Sequence, residues 1–535
     1  MQIFDVVIVG FGPVGQLLCS ALAQKGHRVA VVERWPEVYP LPRAVCYDHE
    51  IRRILESVGI REPLNDLSRA GCLYQWFNAD WKLLTQFDWT QDSISGGPFG
   101  YFFNQPQLEE VLSQLASEQS TATLFRGHEV VALDNLDSHC ELRIKPVPSA
   151  SGEADEQMLQ ARYVIGADGA NSFVRRSQNI EWADLGFSED WLVVDVEPNP
   201  GVNIQVPDFA QWCNPARPTT MVPGGPVYRR WEFMRLPNET IEQLEADEHV
   251  WSLLAQWIKP NEGRLIRKAV YHFRSLIAAQ WRKGRVLLAG DAAHLMPPFM
   301  GQGMCTGMRD AWNLAWKLDL ILSGAAHERV LDDYMPERRR QVEAVIDASV
   351  TMGKVVCQAD PLKALARDKA FLAGEIPQPD PFPAMDSGLL QRDRNGCPGT
   401  LAGTLGPHSD VAVNNVIDRL DQWVPRGFHL LTFDADLLAS LTTAQRADCE
   451  AIGVHPIVLR CADDLGEGFV DVNGVYQRYF QKHAIKALLI RPDYYVFGAL
   501  TDQTHLAQLL AQLNHGLGRE TQSVASPAQA MALTV

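Results

Sequence analysis

The sequence has little of what marks several large classes of proteins. Its ten cysteines include no CxxC pair and no His/Cys group at metal-ligand spacing. Neither a metal site nor a disulfide framework is therefore expected, and a reducing cytoplasm is the expected compartment. No apolar run approaches the ~20 residues of a membrane span, and the first residues lack the basic-then-apolar layout of a signal peptide. Positive charge is also scarce, because 48 Lys and Arg stand against 65 Asp and Glu, a formal net charge of −17. A surface this acidic repels phosphate backbones, so nucleic acid is not an expected partner.

What remains is the composition of an ordinary folded chain. Of the 535 residues, 46% are hydrophobic and 21% are charged, which excludes a disordered or fibrous protein. At about 150 residues per domain, the length predicts three to four folding units, or fewer if one of them is a large α/β domain.

The first 34 residues have a βαβ pattern with a glycine-rich first turn. Residues 4–9 and 28–32 are short apolar runs typical of buried strands, and residues 16–25 have helical spacing. In such a turn the first glycine allows the bend, the second admits a pyrophosphate, and the third allows close helix packing, while the helix N-terminus favours the phosphates. An acidic residue after the second strand accepts hydrogen bonds from ribose hydroxyls. A strand-turn-helix without a ligand is the alternative. We expect a dinucleotide to be bound by Gly10, Gly12, Pro13, Val14, Gly15, Glu33 and Arg34.

Two further segments place an aspartate at the carboxyl end of a predicted buried strand, where doubly wound sheets bind ligands. One begins Gly166-Ala167-Asp168-Gly169, and the other is Gly290-Asp291-Ala292-Ala293-His294. Together with the glycine-rich turn, these segments resemble, in order and spacing, the three FAD motifs of the para-hydroxybenzoate hydroxylase class of single-component flavin monooxygenases. The resemblance covers roughly residues 1–355. It implies that FAD is bound non-covalently.

The resemblance extends to individual positions. Arg43 is similar to the residue that contacts FAD near the adenosine and flavin, Gln105 to the one that contacts the ribityl or phosphate portion, and Asp291 to the ribityl-binding aspartate. The segment 297–307 resembles the helix entry beneath the flavin, where many relatives have Asn instead of Cys305. The further residues that the resemblance implies for FAD are Asp168, Gly169, Gly290, Pro298, Gly301, Gly303, Met304 and Cys305, with Pro297 beside the reacting centre.

Within this class the sequence most resembles the branch of 3-(3-hydroxyphenyl)propionate hydroxylase, phenol hydroxylase and polyketide hydroxylases. The resemblance implies hydroxylation of a small phenolic substrate with O2 and NADH or NADPH, through a flavin C4a-hydroperoxide. No second GxGxxG is present, so the nicotinamide is expected to bind only transiently. A halogenase or reductase of the same fold, and a flavin-binding protein without turnover, are the alternatives.

Substrate contacts are harder to identify. Arg217 is a candidate catalytic partner for a carboxylate or phenolate, and equally a structural arginine. Trp231 and Phe233 share one strand face and are expected to fill the sheet core more than to line a pocket. The arginines at 338–340 are expected on a solvated helix face.

The predicted fold is α/β, a Rossmann-like FAD-binding domain with an inserted antiparallel-sheet substrate domain and a C-terminal domain similar to the thioredoxin-like domain of this branch. Without a CxxC, that last domain is expected to serve packing or oligomerisation, as in a homodimer. The expected boundaries are 1–180 and 276–373 for FAD binding, 181–275 for the substrate domain, 374–394 for a linker, 395–518 for the thioredoxin-like domain and 519–535 for a flexible tail.

Overall fold

The structure is a computed structural model that describes residues 3–147, 155–376, 382–462, 468–502 and 505–519. The chain divides into two compact units. Unit 1 comprises Met1–Ala315 and Arg338–Pro383, and unit 2 comprises Trp316–Glu337 and Ala384–Val535. The expected tail beyond residue 519 and residues 377–381 of the expected linker lie outside the described residues.

Unit 1 contains two large sheets and one small sheet. Its strands are β1 (Phe4–Val9), β2 (Val29–Glu33), β3 (Cys46–Asp48), β4 (Ser68–Ala70), β5 (Leu73–Phe77), β6 (Leu83–Asp88), β7 (Gly100–Phe103), β8 (Ala122–Arg126), β9 (His128–Asn135), β10 (Cys140–Pro146), β11 (Gln157–Gly166), β12 (Trp182–Pro198), β13 (Phe209–Trp212), β14 (Thr219–Gly224), β15 (Tyr228–Met234), β16 (Gly263–Ala278), β17 (Arg282–Lys283), β18 (Val286–Leu288) and β19 (His294–Leu295).

Ten helices begin before residue 384 in the described chain. They are α1 (Pro13–Ala23), α2 (His49–Ser57), α3 (Arg61–Leu67), α4 (Gln105–Ser117), α5 (Phe173–Ser177), α6 (Ile241–Leu244), α7 (Asp247–Leu254), α8 (Gly303–Leu322), α9 (Tyr334–Val356) and α10 (Pro361–Leu372). Short 3-10 turns cover Gly290–Ala292, Pro298–Met300 and Glu328–Asp333. The division between the units falls after Ala315 in α8 and after Glu337 in α9.

The first sheet is the doubly wound sheet that the glycine-rich turn predicts. β1 lies between β2 and β11, β11 pairs with β18, and all these pairings are parallel. The β9–β10 hairpin adds an antiparallel edge through β11. Because the carboxyl ends of β1, β11 and β18 meet at one edge, the three motifs that follow them lie together there.

The second sheet has the strand order β19-β16-β12-β15-β14-β13-β5-β6. Its antiparallel centre, β12 to β16, confirms the sheet expected at residues 181–275. The sheet also contains β5 and β6, because β5 pairs parallel with β13 and antiparallel with β6. These two strands lie about a hundred positions before that range in the sequence. Pairing between strands so far apart cannot be read from local alternation.

Unit 2 has the connectivity expected of a thioredoxin-like domain. Its elements are β20 (Asp410–Val413), β21 (Val416–Arg419), α11 (Leu420–Trp423), β22 (Phe428–Thr432), α12 (Ala435–Ala439), α13 (Thr443–Ala451), β23 (Val454–Arg460), β24 (Phe469–Asp471), α14 (Val475–His483), β25 (Ala487–Ile490), β26 (Val496–Leu500) and α15 (Leu506–Gly516). β22 is parallel to β23 and antiparallel to β25, and β25 is antiparallel to β26.

Residues 384–394 belong to unit 2 and do not form a free linker. Leu389 and Leu390 are buried, and the Gln391 N–H donates to the Phe497 carbonyl at 2.7 Å. The density of proline and glycine in this segment therefore marks turns that pack on the unit. Among the described residues, no helix is long and apolar enough to cross a membrane.

Candidate active site

The glycine-rich turn is closely packed at Gly10 and Gly15 and faces open space at Gly12. Gly10 has φ +100°, and a Cβ there would overlap the Ala167 carbonyl. A Cβ at Gly15 would overlap the carbonyl oxygen of Gly10, whereas one at Gly12 would meet no atom within 4 Å. Gly12 is also the N-cap of α1, with no side chain satisfying the helix N-terminus. Open space beside free N–H groups at a helix N-terminus fits a pyrophosphate.

Glu33 lies at the end of β2 and its carboxylate is fixed beside this turn. It accepts hydrogen bonds from the Phe11 N–H at 2.7 Å and the Trp35 N–H at 2.9 Å. A carboxylate offers about four acceptor sites, so two remain for ribose hydroxyls. The neighbouring Arg34 guanidinium lies over the Trp35 ring.

Gln105, the first residue of α4, holds the backbone of the segment that contains Arg43. Its Oε1 accepts from the Ala44 N–H at 2.5 Å and the Arg43 N–H at 3.2 Å, and its Nε2 donates to Glu109 at 2.6 Å. From the other side, Arg230 donates to the Pro42 carbonyl at 2.8 Å. In the structure the Gln105 amide thus positions residues 43–44.

Asp168 carries an unused acceptor next to the turn. Its Oδ2 accepts from the Val174 N–H at 3.0 Å, whereas its Oδ1 is buried and has no hydrogen-bond partner in the described chain. Burial raises the pKa of Asp168, against hydrogen bonds from Ser172 and Val174 that lower it. Gly169 has φ +77° and open space where a Cβ would stand. An orphaned acceptor beside open backbone fits a ligand with hydroxyl donors.

The Gly290–Asp291 turn presents a carboxylate to the same edge of the sheet. Gly290 has φ +60°, and a Cβ there would stand 3.1 Å from Val14. The Asp291 side chain is exposed to solvent, although the surrounding protein desolvates it enough to raise its pKa. Val14 also approaches Gly307 in α8, so the turn after β1, the turn after β18 and α8 meet at one point.

The segment before α8 is a tight turn held by two thiols. Gly301 has φ +63°, and a Cβ there would overlap the Cys46 sulfur. The thiols of Cys46 and Cys305 donate to the Gly301 carbonyl at 4.0 and 3.9 Å. Burial raises the pKa of Cys305 well above its ordinary value, so this side chain stays a neutral donor. The Pro297 carbonyl accepts from Ser349 at 2.7 Å, while Pro298, Gly303 and Met304 are half-buried.

A buried ion cluster that sequence reasoning missed anchors the start of α8. Arg309 donates to Glu50 at 2.6 Å, to Asp48 at 2.5 Å and to Gln302 at 3.0 Å. Asp48 also caps α2, by accepting from the N–H groups of Glu50 and Ile51. Arg309 lies 261 residues from Asp48 and 259 from Glu50, and only the fold brings them together.

The structure shows the surroundings of the arginine and aromatic residues singled out in the sequence. Arg217 donates to Glu239 through both terminal nitrogens and to the Met234 carbonyl at 2.9 Å, contacts that fit its structural alternative. Trp231 and Phe233 are buried in a core with Leu244, as expected. The expectation of a solvated face at 338–340 is wrong for Arg338, which is buried against Asp310 at 3.0 Å.

Known proteins are similar to this chain over most of its length. A family model described as "FAD binding domain" matches residues 4–349, and one described as "HcaD C-terminal domain" matches residues 403–516. The chain is 34% identical over 514 residues to a "Probable NADH-specific resorcinol 4-hydroxylase" of Rhodococcus jostii, covering 95% of this chain and 94% of the relative. It is 29% identical over 520 residues to the "3-(3-hydroxy-phenyl)propionate/3-hydroxycinnamic acid hydroxylase" of Escherichia coli K12, covering 94% and 92%.

Solved structures share the fold at lower identity. The flavin-dependent monooxygenase PieE, in complex with FAD and substrate, superposes with a TM-score of 0.79 at 20% identity, covering 97% of this chain and 100% of that one. Aklavinone-11 hydroxylase, with FAD and aklavinone, gives 0.77 at 24% identity, covering 96% and 99%.

The fold and the match over residues 4–349 define a flavoprotein monooxygenase. The chain belongs to the FAD binding domain family of group A aromatic hydroxylases, and it is an FAD-dependent aromatic hydroxylase that uses a nicotinamide cofactor and O2.

Proposed function

We propose that this enzyme hydroxylates a small uncharged dihydroxybenzene of the resorcinol type, with NADH as the reductant. The observation that carries the proposal is the 34% identity to the resorcinol hydroxylase over 95% of the chain. Two features of this chain support it. Arg217, the candidate partner for a substrate carboxylate, is occupied by Glu239, and the sheet that faces the turn before α8 is lined mainly with aromatic rings.

The residues proposed to hold FAD are those of the sequence motifs. Gly10, Gly12 and the N-terminus of α1 bind the pyrophosphate, Glu33 binds a ribose, and Asp291 binds the ribityl chain. Pro13, Val14, Gly15 and Gly290 pack the turns that shape this cradle. Arg34, Arg43, Asp168 and Gly169 flank it, and Gln105 acts through the backbone of residues 43–44.

FAD supplies the hydride acceptance and oxygen activation of the reaction, and the protein supplies position and a dry site. The turn formed by Pro297, Pro298 and Gly301, with Gly303, Met304 and Cys305, presents the N-terminus of α8 to the reacting centre, where its N–H groups stabilise developing negative charge. Phe299 packs edge-on against Trp191 with ring centroids 5.5 Å apart, which helps to exclude water.

We further propose that residues 1–180 and 276–373 bind FAD and that residues 181–275, joined by β5 and β6, form the substrate sheet. Residues 395–518, together with 384–394, then serve packing. A cytoplasmic location and a homodimer complete the proposal. The ten cysteines are all free, which supports the reducing location, and light scattering tests the dimer.

Oxidation of NADH and of NADPH by the FAD-loaded enzyme, measured with resorcinol, phenol and 3-(3-hydroxyphenyl)propionate, tests the proposal. We expect coupled product formation with resorcinol and NADH. Greater efficiency with 3-(3-hydroxyphenyl)propionate, or with NADPH, would contradict the substrate or the reductant assignment respectively.

A further inference from the structure

The face of the second sheet that carries Trp191 and Phe209 is aromatic, with one strip of polar groups. Tyr74 stacks on Phe209 with ring centroids 3.9 Å apart, and Trp76, Trp191 and Phe209 are buried in one cluster with Cys46 and Phe299. Since the Cys46 thiol contacts the Gly301 carbonyl, this face of the sheet and the turn before α8 belong to the same packed region of unit 1.

The polar strip runs across three neighbouring strands. Strand register aligns Gln211 of β13 with Thr220 of β14, and Thr220 with Glu232 of β15. Thr220 donates to Gln211 Oε1 at 2.7 Å, and Gln211 Nε2 donates to the Tyr74 hydroxyl at 2.9 Å. Three of the four groups therefore satisfy one another.

Glu232 is the exception. It is 8% exposed, and within the described ranges its carboxylate accepts no hydrogen bond and has one ion pair, to Arg230 at 3.9 Å. Arg230 is already committed to Asp195 by hydrogen bonds of 2.7 and 2.9 Å. Burial raises the pKa of Glu232, against the opposing charges of Arg230 and Arg267. The carboxylate oxygens keep some contact with solvent, since the Glu232 side chain is 11% exposed. A largely buried carboxyl that accepts no hydrogen bond from the described residues can take a donor from a bound ligand.

Five arginines of this sheet are engaged by groups of the protein. Each is held by a carboxylate or a carbonyl of the protein, in the pairs Arg217–Glu239, Arg229–Asp208, Arg230–Asp195, Arg235–Asp190 and Arg267–Pro42. Within the described chain, Arg267 is matched only by the neutral Pro42 carbonyl, so its charge opposes that of Glu232 on this face. Directly beside the Glu232 carboxylate, a substrate carboxylate would meet a like charge, whereas a hydroxyl would supply a hydrogen-bond donor.

We propose that Glu232 is a specificity-determining residue that accepts a hydrogen bond from a substrate hydroxyl and disfavours phenols with a carboxylate side chain. This inference rests on the proposed function, because it needs a hydroxyarene between the sheet and the turn before α8. The other reading of Glu232 is a purely structural partner of Arg230, which would affect all ligands alike.

The test compares Glu232→Gln and Glu232→Leu with the matched control Glu197→Gln, whose carboxylate pairs with Arg264 at the exposed end of β12. Dissociation constants of resorcinol and 3-(3-hydroxyphenyl)propionate are measured from the change that each causes in the visible spectrum of the oxidised holoenzyme, without turnover. We expect Glu232→Leu to bind resorcinol about 10- to 100-fold more weakly. Glu232→Gln, which keeps an acceptor oxygen but loses the charge, should lose less, and both variants should bind the carboxylate ligand no worse than the parent. Glu197→Gln should leave the ratio of the two constants unchanged.

The outcomes separate the two proposals. Equal weakening of both ligands, or an unchanged ratio in Glu232→Gln with full flavin content, would overturn the role of Glu232 while the hydroxylase assignment stands. A parent enzyme that binds neither ligand and oxidises NADH with neither would overturn the proposed function, and the inference with it.

Discussion

His294 Nε2 lies 2.6 Å from Asp310 Oδ2, and both side chains are completely buried. The same oxygen accepts the Gly290 N–H at 3.1 Å, and the other oxygen accepts Arg338 Nε at 3.0 Å. Burial alone would raise the pKa of Asp310, but His294 and Arg338 hold it below its ordinary value. One carboxylate thus ties the Gly290–Asp291 turn to both α8 and α9, and the position of the proposed ribityl-binding group depends on this charge cluster.

The adjacent arginines Arg338 and Arg339 provide a matched test of that cluster. Arg338→Ala leaves Asp310 buried without its cation, which should lower the free energy of unfolding by about 3–5 kcal/mol. Arg339 forms a half-exposed i,i+4 pair with Glu343, so Arg339→Ala should cost about 0.3–0.5 kcal/mol. Urea unfolding monitored by tryptophan fluorescence measures both, and similar losses would contradict the cluster's structural role.

Gly12 and Gly15 should respond differently to the same added methyl group. At Gly15 the Cβ overlaps the Gly10 carbonyl, so Gly15→Ala should destabilise the apoprotein by about 1–3 kcal/mol. At Gly12 the Cβ enters open space, so Gly12→Ala should leave apoprotein stability within about 1 kcal/mol of the parent but weaken FAD binding. Thermal unfolding and FAD titration of the apoproteins measure the two effects. Full FAD affinity in Gly12→Ala would place the pyrophosphate elsewhere.

Asp291 and Glu33 are expected to contribute directly to FAD affinity. Removing a carboxylate that accepts hydroxyl hydrogen bonds costs about 1.5–3 kcal/mol, or roughly 10- to 150-fold in the dissociation constant. Asp291→Ala and Glu33→Ala should therefore purify largely without flavin, whereas Asp80→Ala, at an exposed turn, should retain it. Acid release of the flavin from each preparation gives its amount and identity, and recovery of FMN would contradict the dinucleotide assignment.

The backbone of the site could be predicted from sequence because it depends on short segments. Gly10 to Gly15 and Gly290 to Asp291 each follow a buried strand, and parallel strands bring their carboxyl ends to one edge. The buried charges could not be predicted in this way. Arg338 stands in a run of three arginines that resembles a solvated face, and its partner Asp310 lies on another helix. Only the packing of α9 on α8 selects the arginine that is buried.

The substrate sheet shows the same limit. An antiparallel sheet was expected within residues 181–275, and β12, β15 and β16 form its centre. The sequence pattern did not predict that Tyr74 of β5 would stack on Phe209 of β13, because that parallel pairing joins strands 135 positions apart. Glu232 was likewise missed, since a charged residue in a strand is ordinarily placed on the solvent face.

Glu109 should make the stability of the folded protein depend on pH. Its carboxyl accepts from Gln105 Nε2 and is 6% exposed. Burial raises the pKa of Glu109 to about 7 from an ordinary value of 4.5, against the Gln105 hydrogen bond and the charges of Arg43 and Arg126. The folded protein therefore holds a proton that the unfolded chain releases near pH 4.5.

When the pKa of an acid is higher in the folded than in the unfolded protein, its proton stabilises the fold fully at pH values below the unfolded pKa. This stabilisation is lost as pH rises toward the pKa of the folded protein. Glu109 should therefore reduce the free energy of unfolding between pH 4.5 and about 7, by roughly 3 kcal/mol in total. Glu109→Gln keeps the hydrogen bond to Gln105 and removes the titration, so it should be more stable than the parent at pH 8 and similar to it at pH 4.5. Glu110→Gln, at the exposed neighbouring position, should keep the parent's pH dependence. Urea unfolding of the three apoproteins at both pH values gives the difference, and parallel pH profiles of the parent and Glu109→Gln would show that folding does not raise the pKa of Glu109.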